Sequence, residues 1–319
     1  MREPESIWYG GASVPLHLKL LEAVYRPVAA LHQRWRRSRA RHPGAPVIVI
    51  GNLTVGGSGK TPLLIHLAKQ LSARYRVGVV SRGYGSTAGA GPRLVSVEDS
   101  PSSVGDEPLL IARETSAPVM VGSNRVGAAC RLVDEHGVEI LLSDDGLQHG
   151  QLARDLEIVV VDEARGFGNR RQLPAGPLRE PLSRLETVDF VIHNGSAESM
   201  MLTLANAVNL QSGESRPLDA FVGKAVHAVA GIGHPGRFFA SLKKLGIEAQ
   251  QHPFPDHHPF SDDELAAFGS ETILTTSKDA VKLRGRGLAD CWEVPVTVAL
   301  DETLERELLT RIDKLMAES

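Results

Sequence analysis

The 319-residue sequence has only two cysteines, Cys130 and Cys291, too few for a zinc cluster or a disulfide framework. It also lacks an uninterrupted apolar stretch of the roughly 18 residues that a transmembrane helix needs. No secretory leader is read at the N-terminus, so a reducing, cytoplasmic setting is the expectation. A strong charge of one sign is absent as well. The 35 Lys/Arg and 38 Asp/Glu leave a net charge of −3, which argues against a polyanion binder, nucleic acid included. With 42% hydrophobic and 23% charged residues, the chain is neither collagenous nor of disordered composition. No internal repeat is evident.

What is present is unevenly distributed. Residues 1–45 carry eight Lys/Arg against three Asp/Glu, and the excess peaks at Arg34, Arg36, Arg37, Arg39 and Arg41. In the same segment Leu20, Leu21, Val24, Val28, Leu31 and Trp35 recur every three or four residues, one face of an amphipathic helix. Pro27 is expected to kink or split that helix. On pattern alone, the segment either lies on an anionic membrane surface or packs with a solvated basic end.

The strongest local signal follows. Pro46 to Ile50 is a short β-branched run, and Gly51-Asn52-Leu53-Thr54-Val55-Gly56-Gly57-Ser58-Gly59-Lys60-Thr61 comes directly after it. Pro62 to Leu71 has helical spacing, with Pro62 in the first turn, where proline is tolerated. Strand, glycine loop and helix are the context that a phosphate-binding loop requires. Backbone N–H groups and the helix N-terminus would cradle phosphate, Lys60 would reach the β- and γ-phosphates, and the Thr61 hydroxyl would face Mg²⁺. The strict pattern begins with glycine, whereas Thr54 stands here.

Further apolar runs at 77–80, 119–121, 139–143, 156–161 and 188–192 lack polar alternation. They predict a parallel sheet covered on both faces. The region 165–185 reads as a loop, and 194–219 is weakly patterned. A second strand–helix unit begins near 225, which places a boundary near 222. The expected architecture is α/β. Residues 1–45 form an amphipathic helical segment, 46–222 a parallel-sheet α/β/α domain with the phosphate loop, and 223–319 a smaller α/β domain.

Asp144 and Asp145 end an apolar strand, where a metal-holding acid of a phosphate-loop protein sits. Adjacent carboxylates repel unless a cation is near, although Asp-Gly also favours a plain turn. Asp106 and Glu107 open a helix near Pro108, which capping alone would explain. His149 follows the second strand end, and His257 and His258 share a polar loop. Arg82, Arg125 and Arg179 could each clamp phosphate. Thr276-Ser277-Lys278-Asp279 has the wrong spacing for a guanine-reading motif. Val55 stands where a dimeric partitioning ATPase would carry its trans-acting lysine.

Taken together, these stretches resemble the tetraacyldisaccharide 4′-kinases, the lipid A kinases of Gram-negative bacteria. The resemblance is carried by Trp8-Tyr9-Gly10, the loop 51–62, Ser81-Arg82-Gly83-Tyr84-Gly85 and Gly105-Asp106-Glu107-Pro108. It continues through Asp144 to His149, Leu173 to Glu180, Phe254 to His258 and Thr275 to Lys282. The family's loop also begins with threonine. Leu147 and Ser277 depart from the family's Phe and Glu.

The resemblance implies transfer of the ATP γ-phosphate to the 4′-hydroxyl of a tetraacyldisaccharide 1-phosphate. It implies two α/β/α domains with the site in their cleft, closed by the C-terminal one. ATP contact falls to Thr54, Val55, Gly56, Gly57, Ser58, Gly59, Lys60 and Thr61. Mg²⁺ falls to Thr61, Glu107 and Asp144, with Asp145 at the metal and phosphates. Asp106 is implied as the base, oriented or assisted by His257. Arg179, Arg82, Arg125 and His149 are implied phosphate or substrate contacts. With a lipid acceptor, the basic amphipathic helix is expected to rest peripherally on the cytoplasmic face of the inner membrane. No obligate protein partner is implied. A nucleotide switch without a lipid acceptor is the alternative of another class, and a kinase of soluble small molecules is a third.

Overall fold

The structure, a computed structural model, describes residues 4–83 and 91–318. Tyr84 and Gly85, the end of one kinase-like stretch, lie outside the described residues. The chain begins with α1 (Pro4–Trp8), α2 (Leu16–Arg37), β1 (Val47–Gly51), α3 (Lys60–Leu71), β2 (Val77–Ser81) and β3 (Arg93–Leu94). It continues with α4 (Pro101–Val104), α5 (Asp106–Glu114), β4 (Val119–Val121), α6 (Arg125–His136), β5 (Ile140–Asp144), β6 (Leu156–Asp162) and β7 (Phe190–Asn194). Then come β8 (Met200–Leu204), β9 (Ala207–Asn209), β10 (Ser215–Arg216), β11 (Val226–Ala230), α7 (Pro235–Lys244), β12 (Gln250–Pro253) and α8 (Asp262–Ala266). The last elements are β13 (Thr272–Thr276), α9 (Ser277–Leu283), β14 (Cys291–Val294), β15 (Val296–Leu300) and α10 (Glu302–Glu318).

Two sheets result. The first has nine strands in the order β15-β8-β7-β6-β1-β5-β2-β4-β3, parallel except at β15 and β3. Its central strands β1, β2, β5 and β6 are buried throughout. That burial on both faces is why their sequences are apolar without alternation. Along β1, Ile48 and Ile50 face one core with Leu63, Leu67 and Leu308, and Val47 and Val49 face the other with Leu132 and Leu141. The second sheet has the order β10-β9-β14-β13-β11-β12. Trp292, Phe221 and Phe238 fill one side of it, and Phe260, Phe268 and Cys291 the other.

Sheet membership departs from a single cut at residue 222. β9 and β10 precede that point yet belong to the second sheet. β15 and α10 follow it yet return to the first, where Leu308 and Ile312 join its core. The weakly patterned region 194–219 holds three strands. Antiparallel pairing links β8 to β15 and β9 to β14, so 200–209 and 291–300 run side by side through both sheets. Met200 pairs Leu300 and Leu204 pairs Val296, whereas Val208 pairs Glu293. The register therefore slips by one residue at the junction, the arithmetic of a bulge.

α2 runs unbroken through Pro27 over 22 residues, contrary to the expected split. Its inner face is held by polar contacts. Glu22 is buried against Arg171 and the Gln172 N–H (2.6 and 2.9 Å), the Tyr25 hydroxyl donates to Arg179 O, and Gln33 donates to Gln148 O. Its apolar side faces outward: Leu16, Leu20, Leu21, Val24, Val28, Leu31 and Trp35 are all exposed.

Candidate active site

The phosphate loop is shaped by two glycines and two asparagines. Gly56 and Gly59 have φ of +105° and +93°, a region that L side chains avoid. A Cβ on Gly59 would lie 2.4 Å from Asn194 Nδ2. Asn52 Nδ2 donates to Gly56 O (3.0 Å), and Asn194 Nδ2 donates to Ser58 O (3.0 Å). Because a trans peptide is planar, the N–H groups of Gly57 and Gly59 point away from those amides. Lys60 and Thr61 open α3 directly after the loop, and both line the cleft. The segment 177–179 lies along 53–55, with Val55 N–H donating to Pro177 O and Arg179 N–H to Leu53 O. That pairing delivers the Arg179 side chain to the loop.

Asp145 is the meeting point. Lys60 Nζ lies 3.7 Å from its Oδ1, and Arg179 donates to its Oδ2 at 2.9 Å. The same two cations reach Asn52 Oδ1, at 3.2 Å from Lys60 and 3.3 Å from Arg179, and Arg179 also donates to Gln148 Oε1. Burial alone would push the Asp145 carboxyl up, but Lys60 and Arg179 outweigh it and hold it at about 2. Asp144 behaves oppositely. Burial, then the facing Glu107 and Asp145, push it up to about 7. Its Oδ2 accepts from Ser81 Oγ at 3.1 Å, while its buried Oδ1 has no hydrogen-bond partner among the described residues. Arg125, itself buried, donates to the Asp145 carbonyl at 3.0 Å. Burial, then the charges of Arg125, Arg36 and Arg154, hold His149 down at about 4, a neutral imidazole among cations. Arg82 is exposed at the rim of the cleft.

The other wall combines the start of α5, from the first sheet, with α9 and the 254–258 loop of the second, where α5 packs against α9. Asp106, first residue of α5, is buried, and its Oδ2 lies 3.0 Å from His257 Nδ1 and 3.7 Å from Lys282 Nζ. Burial opposes ionisation of Asp106, but the His257 hydrogen bond and the Lys282 charge prevail and lower its pKa. Lys278, one turn before Lys282 on α9, binds Glu107 Oε1 at 3.1 Å and Asp256 Oδ1 at 3.0 Å. Asp279 anchors Lys282 at 2.7 Å and accepts from Gly231 N–H and Thr276 Oγ1. His258 lies apart, paired with Glu264.

The expected residues thus fall into two groups across one cleft of about 2060 Å³. Lys60, Asp145 and Arg179 form one group, with Arg125 behind them. Asp106, Glu107 and His257 form the other. Asn52, Asn194, Gln148, Lys278 and Lys282 complete these groups and were not singled out from sequence. Lys278 and Lys282 stand four apart on one helix face, a spacing that could have flagged them.

Along nearly its whole length the chain is similar to one family of known proteins. A family model described as tetraacyldisaccharide-1-P 4′-kinase matches residues 14–313. Proteins named tetraacyldisaccharide 4′-kinase include one from Pseudomonas aeruginosa (strain LESB58), 44% identical over 322 residues and 97% of each chain. Another, from Nitrosococcus oceani, is 47% identical over 274 residues, 84% of this chain and 81% of that one. The crystal structure of LpxK from Aquifex aeolicus, in complex with ATP, aligns with a TM-score of 0.79 at 29% identity. That alignment covers 93% of this chain and 97% of the other. With this match across nearly its whole length, the chain belongs to the tetraacyldisaccharide-1-P 4′-kinase family.

Proposed function

We propose that this chain transfers the γ-phosphoryl group of ATP to the 4′-hydroxyl of a tetraacyldisaccharide 1-phosphate, a step of lipid A biosynthesis. The observation that carries the reading is one cleft lined both by the phosphate loop and by His257, whose Nδ1 lies 3.0 Å from Asp106 Oδ2. A nucleotide switch needs no base aimed at a second substrate. A cleft of about 2060 Å³ also exceeds the roughly 300–1,000 Å³ of a single-ligand pocket, leaving room for nucleotide and sugar together.

In this reading the loop 54–61 cradles the triphosphate, and Lys60 and Arg179 neutralise charge on the transferring group. Asp106 takes the proton of the sugar hydroxyl while the new O–P bond forms and the bond to the β-phosphate oxygen breaks, releasing ADP. Asp144 and Glu107, with Thr61, are the residues that would hold Mg²⁺. They fit it: Asp144 keeps a buried unpartnered oxygen, and the nearby charges of Glu107 and Asp145 add to burial in raising its pKa, the signature of a carboxyl that a cation would relieve. Held there, Mg²⁺ would supply positive charge that neutralises the phosphates during transfer. Arg82, Arg125 and His149 contact phosphate or the acceptor's polar head. The two sheet units act as separate bodies that close on the substrates.

The acceptor is a membrane lipid, and α2 is the surface that would meet it. No described helix is long and apolar enough to cross a membrane. The outward leucines and valines of α2 and its terminal arginines suit shallow insertion at the cytoplasmic face of the inner membrane. The test is γ-labelled ATP with Mg²⁺, detergent and the acceptor, followed by separation of lipid from nucleotide. Label in the lipid, lost in Lys60→Ala, is the expected result. Label released only as inorganic phosphate, whatever lipid is added, would hand the site to the nucleotide switch.

A further inference from the structure

The Trp8-Tyr9-Gly10 stretch has no part in the reaction as proposed, yet it is closely packed against the loop that follows β6. The Trp8 indole donates to Pro174 O at 3.2 Å, Asn169 N–H donates to Trp8 O at 2.8 Å, and Asn169 Nδ2 donates to Ile7 O at 3.2 Å. A Cβ on Gly168 would lie 2.5 Å from Trp8 O, so the two backbones meet where only glycine fits. Arg165 stands at the centre of this contact. Its guanidinium carbon lies 4.0 Å from the centroid of the Tyr9 ring, and its Nη2 donates to Glu5 Oε1 at 2.8 Å. Because β6 runs beside β1, the turn after β6 lies behind the phosphate loop that leaves β1. There Arg165 Nη1 is 3.1 Å from where a Cβ on Gly56 would stand. Arg165 lies outside the cleft wall, so its effect on a nucleotide passes through the loop.

We propose that Arg165 is a positioning residue for the nucleotide phosphates: the Tyr9 ring and the Glu5 carboxylate hold its guanidinium against Gly56 and so brace the phosphate loop from behind. Glycine at positive φ is free to move, and a loop that must keep its N–H groups on phosphate loses affinity for every other conformation it visits. Asn52 fixes the Gly56 carbonyl at 3.0 Å, and Arg165 fills the space where a Gly56 side chain would begin. A Cβ on Gly57, by contrast, would meet nothing within 4 Å. Support for the loop tip therefore falls on Gly56. A guanidinium suits the task because it is planar. It can lie on the ring while its edge donates to Glu5 and touches the loop, whereas lysine carries the same charge without the plane or the fork.

This inference rests on the kinase reading for its effect on turnover, but ATP binding is measured without the lipid. In isothermal titration of the full chain with MgATP, Arg165→Lys and Tyr9→Leu should each weaken binding at least fivefold, with the melting temperature kept. In turnover, the KM for ATP should rise by a similar factor while kcat and the KM for the lipid stay within threefold, a split that general loosening of the fold would not produce. Tyr9→Phe keeps the ring and should recover most of the affinity lost in Tyr9→Leu. The double variant Tyr9→Leu/Arg165→Lys should bind about as weakly as either single one, because both break one brace. Wild-type affinity in Arg165→Lys would show that only its charge is felt. Losses that multiply would show that the two residues act separately. Parallel losses in melting temperature, kcat and both KM values would make the contact merely structural. Each of these three results would overturn the proposal. If wild-type protein binds ATP but leaves the lipid unlabelled, the kinase reading falls while the titrations still decide the brace.

Discussion

Arg179 approaches Asp145 Oδ2 at 2.9 Å from a segment whose own backbone is pinned to Leu53 of the phosphate loop. Lys60 reaches the other oxygen. The carboxylate is therefore clamped between the two cations to which the proposed reaction assigns the transferring phosphate. Asp145 sets their positions before ATP arrives.

That clamp has a pH signature. The folded carboxyl sits at about 2, below its ordinary 3.8, so it adds stability above the unfolded value. The gain is lost as pH falls from about 4 toward about 2. Comparing chemical denaturation of wild type and Asp145→Asn should show the wild-type advantage shrinking across that window.

Asp144 should do the reverse. Its folded value of about 7 lies above 3.8, so the fold favours the neutral acid. Without metal or nucleotide, its contribution declines as pH rises between about 4 and 7, then levels off. Asp144→Asn should gain stability relative to wild type over that range, measured by melting temperature in chelator. A flat difference would contradict the assigned cause.

Removing the base should separate chemistry from binding. Asp106→Asn is expected to lower kcat by about 10²-fold or more while ATP affinity is kept. Isothermal titration with ATP alongside lipid phosphorylation decides this. Equal loss of both would assign Asp106 to the metal.

Gly59→Ala should cost about 1–3 kcal/mol of stability, since the backbone is left-handed and the new methyl meets the Asn194 amide. Nucleotide binding should fall with it. A variant that melts and binds as wild type does would show that the loop adapts elsewhere.

The apolar face of α2 should matter to lipid and not to folding. Replacing Leu20, Val24 and Leu31 by serine should change stability within about 0.5 kcal/mol per site, because all three are exposed. Flotation with anionic vesicles should weaken, as it should when Arg34, Arg36 and Arg37 are replaced. Unchanged flotation in both sets would remove the membrane role.

Much of this was legible in the sequence where the cause is local. A β-branched run, a glycine loop and a proline in the first helical turn specify β1, the loop and α3 without distant help. The strands between 200 and 216 were not legible. They are short and partly exposed, and β8 and β9 pair with strands far along the chain, β15 and β14, so no local periodicity marks them. Lys60 and Asp145 announced themselves by motif. Lys278 and Lys282 stood in the stretch Thr275 to Lys282 without an assigned role, because their contacts arise only where α9 packs against α5. Pro27 misled for a related reason: the polar anchors of Glu22, Tyr25 and Gln33 hold the helix on both sides of it.

The paired segments 200–209 and 291–300 make the two sheets mechanically one ribbon with a soft point. Only Ala205 and Asn206 on one side, and Pro295 on the other, separate the strands of the two sheets. The proline has no N–H, and the register slips there. Closure of the two sheets on the substrates, as proposed, would concentrate torsion in these three residues, the covalent joints between them. A small twist at that axle would move Lys278 and His257 relative to Lys60. Stiffening the axle, for example with a cross-link between positions 205 and 295, would then brake turnover while touching neither substrate.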